Sequence, residues 1–123
     1  MSISRVMKSR VILYVEDEAT ALTVRCQVLS RAGYVVLPAG DGAAALELFK
    51  CIRADLVIMN HRLPGLSGTH VAAEMKRLKP AVPIVLLSGL VEAPPGSEHA
   101  DLVITKGMPA AEFLRAVGKL IPE

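Results

Sequence analysis

The chain has 123 residues, the size of one domain, and 52% are hydrophobic but only 3% aromatic, so its core must rest on Val, Leu, Ile and Ala. Against 14 Lys and Arg stand 12 Asp and Glu; a formal net charge of +2 is too small an excess to imply a nucleic-acid partner by itself. No stretch reaches the length of a membrane span and the start lacks a long apolar signal segment, so the expected location is the cytoplasm.

Arg5, Lys8 and Arg10 cluster near the start and read as a solvated tail. Val11 to Val15 is an unbroken, β-branched apolar run, which predicts a strand buried on both faces. Ala19 to Ala32 carries Leu22, Cys26 and Leu29 at helical spacing, with Gly33 where a helix would end. Cys26 therefore reads as a core residue. Two cysteines in a chain with ample core do not suggest a disulfide framework, and no Cys/His cluster suggests zinc. Tyr34 to Leu37 is the second strand. Asp41 can cap a helix running to about Cys51, with Ala45, Leu46 and Phe49 inward.

Leu56 to Met59 is the third strand, and Pro64-Gly65 signals a turn. Ser67 can cap a helix with Val71, Met75 and Leu78 on its inner face, stopped by Pro80. Ile84 to Leu87 is the fourth strand. Pro94, Pro95 and Gly96 then argue against a long helix, leaving at most a turn around Ser97 to Ala100 that Ser97 could cap, in a loop flanked by Leu90 and Val91. Leu102 to Ile104 is the fifth strand. Pro109 suits the first turn of the last helix, whose inner face is Phe113, Leu114, Val117 and Leu120. Strands alternating with helices imply a single α/β domain over 1–123, core about 9–121, with a parallel sheet and right-handed crossovers. No internal repeat is expected.

Function in such a sheet gathers at the carboxyl ends of the strands. Those ends bear Glu16 and Asp17, then Asn60, then Ser88 and Gly89, then Lys106. One further signal, Gly40-Asp-Gly-Ala-Ala-Ala45, matches a dinucleotide-binding fingerprint. It follows the second strand instead of the first, and Asp41 would repel a pyrophosphate. His61, His70 and His99 lack ligand spacing and read as loop or surface residues.

Four segments carry a family resemblance: Val11-Ile-Leu-Tyr-Val-Glu-Asp-Glu18, the run from Asp55 to Gly68, Pro83-Ile-Val-Leu-Leu-Ser-Gly89, and Ile104-Thr-Lys106. In this order and spacing they resemble the response-regulator receiver domain over nearly the whole chain. The resemblance implies a flavodoxin-like, doubly wound five-stranded sheet of order 2-1-3-4-5, here with the fourth helix shortened or replaced by a loop. It also implies a magnesium site at Glu16, Asp17 and the residue-60 position, a switch hydroxyl at Ser88 and a phosphate-contacting lysine at Lys106. The family's phosphoacceptor is an aspartate; here that position is Asn60, whose amide lacks the charge and lone pair of a carboxylate nucleophile. Losing one of three carboxylates should also leave magnesium binding weak.

Two more positions depart from the family. Gly107 stands where proline commonly follows the lysine, and Val103 stands where an aromatic switch is common. The expected function is a phosphorylation-independent receiver module, not an enzyme, meeting a signalling protein such as a histidine kinase or output protein. It would contact neither nucleic acid nor membrane directly and would be a monomer or weak homodimer. Two alternatives stay open. One is an ordinary phosphorylatable receiver in which Asn60 is an engineered or incidental replacement. The other is a small flavodoxin-like nucleotide-binding domain.

Overall fold

The computed structural model describes residues 9–89 and 92–121; Arg5, Lys8, Leu90 and Val91 lie outside them. Five strands form the sheet: β1 Val11–Val15, β2 Val35–Ala39, β3 Leu56–Asn60, β4 Ile84–Ser88 and β5 Leu102–Thr105. All four neighbouring pairs are parallel, in the order β2-β1-β3-β4-β5. The helices are α1 Ala19–Arg31, α2 Gly42–Cys51, α3 Gly68–Leu78 and α4 Ala110–Leu120.

The alternation of side chains along each strand divides the core in two. Leu13, Val15, Val57, Met59 and Leu86 face α2 and α3, where Ala45, Phe49, Val71, Ala72 and Met75 meet them. Ile12, Tyr14, Ile58, Val85, Leu87 and Ile104 face α1 and α4, where Leu29, Phe113 and Val117 meet them. β3 and β4 are buried at every residue, which explains their unbroken apolar runs. β2 is an edge strand with Val35 and Pro38 exposed, and it begins and ends later than expected. Proline is tolerated at such an edge because its missing N–H need not join a ladder. Cys26 is only half-buried, so the expectation of a core cysteine is corrected. Its neighbour Leu29 takes the buried position.

Asp41 and Ser67 cap α2 and α3, accepting from Ala44 N at 2.7 Å and His70 N at 3.3 Å. The end of α2 is held from outside. Lys79 Nζ donates to the carbonyls of Phe49 and Ile52 at 2.6 and 2.9 Å and lies 5.0 Å from the Phe49 ring centroid. Pro109 sits one residue before α4 instead of inside its first turn. Among the described residues, no helix is long and apolar enough to cross a membrane.

Between β4 and β5 the described residues form only a 3₁₀ turn, Ser97–His99. Pro94 and Pro95 cannot donate backbone bonds, and Gly96 takes a left-handed φ of 87° that breaks any helix there. Ser97 does not cap the turn; it lies within it, and its hydroxyl donates to the Pro94 carbonyl. The segment closes against α3, with Gly96 against Thr69.

A repeat missed in the sequence organises the sheet. Ala-Asp-Leu-Val-Ile occurs at Ala54–Ile58 and again at Ala100–Ile104, opening β3 and β5. In the first copy Asp55 N donates to Val11 O at 2.8 Å while Asp55 Oδ2 accepts from Val11 N at 2.7 Å. In the second, Asp101 N donates to Ile84 O at 2.8 Å while Asp101 Oδ2 accepts from Ile84 N at 2.7 Å. Each aspartate thus clamps its strand to the first residue of the preceding one in the sheet, and each is paired with a cation. Arg10 Nη1 stands 3.9 Å from Asp55 Oδ1, and Lys76 Nζ stands 2.7 Å from Asp101 Oδ2. Asp101→Ala is expected to cost about 2 kcal/mol, because it orphans a buried strand N–H. Asp101→Asn keeps an acceptor oxygen and loses only a partly exposed ion pair, at a cost of under about 1 kcal/mol. Urea unfolding of both variants measures this; equal losses would mean that the ion pair, not the clamp, is what matters.

Candidate functional site

The ladder does not stop at the strand ends. Glu16 N donates to Ala39 O at 3.0 Å, His61 N to Leu87 O at 2.8 Å and Lys106 N to Ser88 O at 2.9 Å. These bonds carry the sheet's order one residue further and bring Glu16, Asn60, Ser88 and Lys106 to a common edge. The Lys106 carbonyl is gripped from α1 by Arg25 Nη2 at 2.8 Å, and the Arg25 guanidinium lies 5.2 Å from the Phe113 ring centroid. Arg25 carried no signal in the sequence, since an arginine on a helix flank is ordinary.

A cleft of about 300 Å³ opens at this edge, lined by Asn60, His61, Arg62, Ser88, Gly89 and Lys106. The structure thus brings together three of the five expected site residues as lining: Asn60, Ser88 and Lys106. Glu16 lies behind Asn60 and is 3% exposed, whereas Asp17 is exposed beside it. His61 and Arg62 were not anticipated; His61 was read only as a loop or surface residue. Its Nδ1 is buried without a hydrogen-bond partner among the described residues. His70 and His99 are exposed, as expected.

Glu18, not Glu16 or Asp17, caps α1, accepting from Thr20 N at 3.3 Å and Ala21 N at 2.6 Å. Glu16 is therefore free to turn inward. Burial pushes its carboxyl upward; the Glu18 backbone N–H and the Lys106 ammonium oppose this, while Asp17 adds to it. Its Oε2 accepts from Glu18 N at 3.2 Å and from Asn60 Nδ2 at 3.1 Å. Asn60, 5% exposed, also donates through Nδ2 to the Arg62 carbonyl at 2.9 Å. That pair of acceptors sets the amide's orientation, because the opposite flip would aim Oδ1 at two oxygens.

Magnesium wants hard oxygen ligands. As arranged, the residues do not fit it: the nitrogen of Asn60, not its oxygen, faces Glu16 and the Arg62 carbonyl. Asn60 as a third oxygen ligand, expected from the resemblance, meets a different geometry here. Among the described residues no three of His, Cys, Asp and Glu are grouped to hold a metal.

Below the cleft, Gly68 lets α3 start against the end of β3. Its N donates to His61 O at 2.7 Å, and a Cβ there would stand 2.6 Å from the Asn60 carbonyl oxygen. The glycine-rich segment from Gly40 has a packing explanation instead of a nucleotide one. Asp41 already occupies the α2 N-terminus, and a Cβ at Gly42 would meet Val71 Cγ2 at 2.7 Å. Val103, expected from the resemblance at the position of an aromatic switch, is half-buried against the core on the α3 side.

Residues 12–117 match the family described as the response regulator receiver domain. The sensory transduction protein RegX3 of Mycolicibacterium smegmatis is 31% identical over 110 residues, covering 86% of this chain and 48% of RegX3. The uncharacterized transcriptional regulatory protein YbdJ of Bacillus subtilis is 38% identical over 82 residues, covering 67% of this chain and 36% of YbdJ. The chain thus spans less than half the length of these relatives. The response regulator TrrA of Thermotoga maritima, solved in complex with Mg(2+)-BeF, superposes with a TM-score of 0.86 at 32% identity, covering 90% of this chain and 98% of TrrA. TrrA has also been solved in complex with the histidine kinase ThkA.

Proposed function

Because the chain belongs to the response regulator receiver family of two-component systems, we propose that it works as a single receiver unit, about residues 9–121, that signals by protein contact without phosphate at residue 60. The observation that carries this reading is the chemistry and setting of Asn60. An amide supplies no carboxylate nucleophile, and here its nitrogen is committed to Glu16 and the Arg62 carbonyl. The partner is a signalling protein of the cytoplasm, a histidine kinase or an output protein. TrrA's complex with a kinase supports the first. The module is not an enzyme, contacts neither nucleic acid nor membrane directly, stays a monomer or weak homodimer, and binds magnesium weakly if at all. The site assignment runs residue by residue: Asn60 at the phosphoacceptor position, Glu16 and Asp17 as the acidic pair, Ser88 as the switch hydroxyl, Lys106 as the phosphate-contacting lysine.

The test is intact-mass measurement after incubation with acetyl phosphate and magnesium. The chain as it stands is expected to gain no phosphate-sized mass; a stoichiometric adduct would overturn the reading. A second reading, an ordinary receiver altered at one position, is favoured by the presence of Ser88 and Lys106 on the cleft and Glu16 behind it. Under it, restoring aspartate restores the chemistry.

A further inference from the structure

Losing a carboxylate weakens a cation site passively. The geometry around Asn60 describes something more. Glu16 Oε2 and the Arg62 carbonyl face one another across the Asn60 amide, which donates to the first at 3.1 Å and to the second at 2.9 Å. If the cleft is a receiver site, these two oxygens, with Glu16 lying behind Asn60, are ones that a cation beside position 60 would meet, and both are already satisfied by a donor with a partial positive charge. Glu16 Oε2 receives a further hydrogen bond from Glu18 N, so its acceptor capacity is committed. Asn60 and Glu16 are both buried, so water competes little with this arrangement.

We propose that Asn60 actively excludes divalent cations: its amide stands in for the ion, neutral and permanent, between the Glu16 carboxylate and the Arg62 carbonyl. The inference rests on reading the cleft as a receiver site. To enter, a magnesium ion must break both hydrogen bonds and rotate the amide, leaving the nitrogen without those acceptors. The chain therefore holds its acid and its loop together without metal, where a carboxylate at position 60 would repel Glu16 until a cation arrived.

The two accounts separate at Asn60→Ala. If Asn60 merely lacks a charge, removing its side chain leaves magnesium affinity equal or lower, since a possible oxygen ligand has gone. If Asn60 excludes the ion, alanine frees Glu16 and the Arg62 carbonyl, and water, which magnesium retains readily, fills the vacant position. Titration calorimetry with magnesium chloride on the full chain should then rank the forms: wild type weakest, Asn60→Ala about tenfold tighter, Asn60→Asp tightest. Asn60→Ser, too short to bridge both acceptors, guards against an Ala variant that does not fold, and should also bind more tightly than wild type. Folding of each is verified by circular dichroism. Asn60→Ala and Asn60→Ser no tighter than wild type, with Asn60→Asp tighter, would overturn active exclusion while leaving the receiver site intact. Asn60→Asp no tighter than wild type would overturn the site reading itself.

Discussion

Asn60→Asp is expected to turn a chain inert to acetyl phosphate into one that takes up a single phosphoryl group in the presence of magnesium. The cleft supplies what remains of the chemistry. Ser88 and Lys106 line it alongside position 60, and Lys106 is fixed at its backbone by Ser88 O and by Arg25. The substitution is nearly isosteric, so the fold should hold. It is not neutral, however. A carboxylate at this position would face Glu16 Oε2 and the Arg62 carbonyl, the two oxygens that the amide now satisfies. Without magnesium the variant should therefore be less stable than the parent by on the order of 2 kcal/mol, the cost of opposed buried oxygens. Adding magnesium should recover most of that loss, since a ligand of the native state raises its stability. Intact-mass spectra with and without acetyl phosphate, and melting curves with and without magnesium, measure both halves. An unlabelled variant of normal stability would show that position 60 is not the acceptor position.

Gly68→Ala should be the most damaging small substitution near the cleft. An added Cβ would lie 2.6 Å from the Asn60 carbonyl oxygen, 2.9 Å from His61 Cα and 3.1 Å from Leu86 Cδ2. Two of those neighbours are backbone, which cannot swing aside. Either α3 withdraws, breaking the 2.7 Å bond from Gly68 N to His61 O, or the end of β3 is pushed into the cleft. The expected cost is about 3 kcal/mol, read from chemical unfolding. Gly33→Ala is the contrast. Nothing lies within 4 Å of its Cβ position, so only its φ of 102° resists a side chain, and the cost should be nearer 1 kcal/mol. A smaller loss at Gly68 than at Gly33 would mean that the contact at the foot of the cleft is softer than its distances imply.

Much of the fold could be read ahead of the structure, for a physical reason. β3 and β4 are buried throughout, so each shows four apolar residues in a row before its one polar end residue, Asn60 or Ser88. β2 was placed less well because an edge strand needs no such run, and its Pro38 reads as a stop signal until the edge is known. That Asn60, Ser88 and Lys106 would meet at one edge was legible because topology alone gathers strand ends. His61 and Arg62 were not, since a loop residue reaches a cleft through backbone path, which leaves no periodic trace. The orientation of the Asn60 amide was also beyond the sequence. It depends on a carbonyl two residues ahead and on a carboxylate from another strand, which meet only after folding. The repeated Ala-Asp-Leu-Val-Ile escaped because apolar periodicity ignores identity, and the two copies serve strands that are not neighbours in the sheet.

That repeat ties the working end of the sheet to the far end by counting. Asn60 and Lys106 each stand five positions after the aspartate that fastens their strand. The β5 count starts two residues higher in the register, level with Val57, so Lys106 is carried two residues beyond the level of Asn60, over the end of the sheet. Arithmetic of this kind tolerates a change of residue far better than a change of length. Within β3 or β5 a conservative exchange alters packing, whereas one inserted or deleted residue reverses every side chain beyond it. The last residue of the count would then face the wrong layer, or miss the edge by a full strand rise. The two aspartates farthest from the cleft are in this sense its gauge blocks.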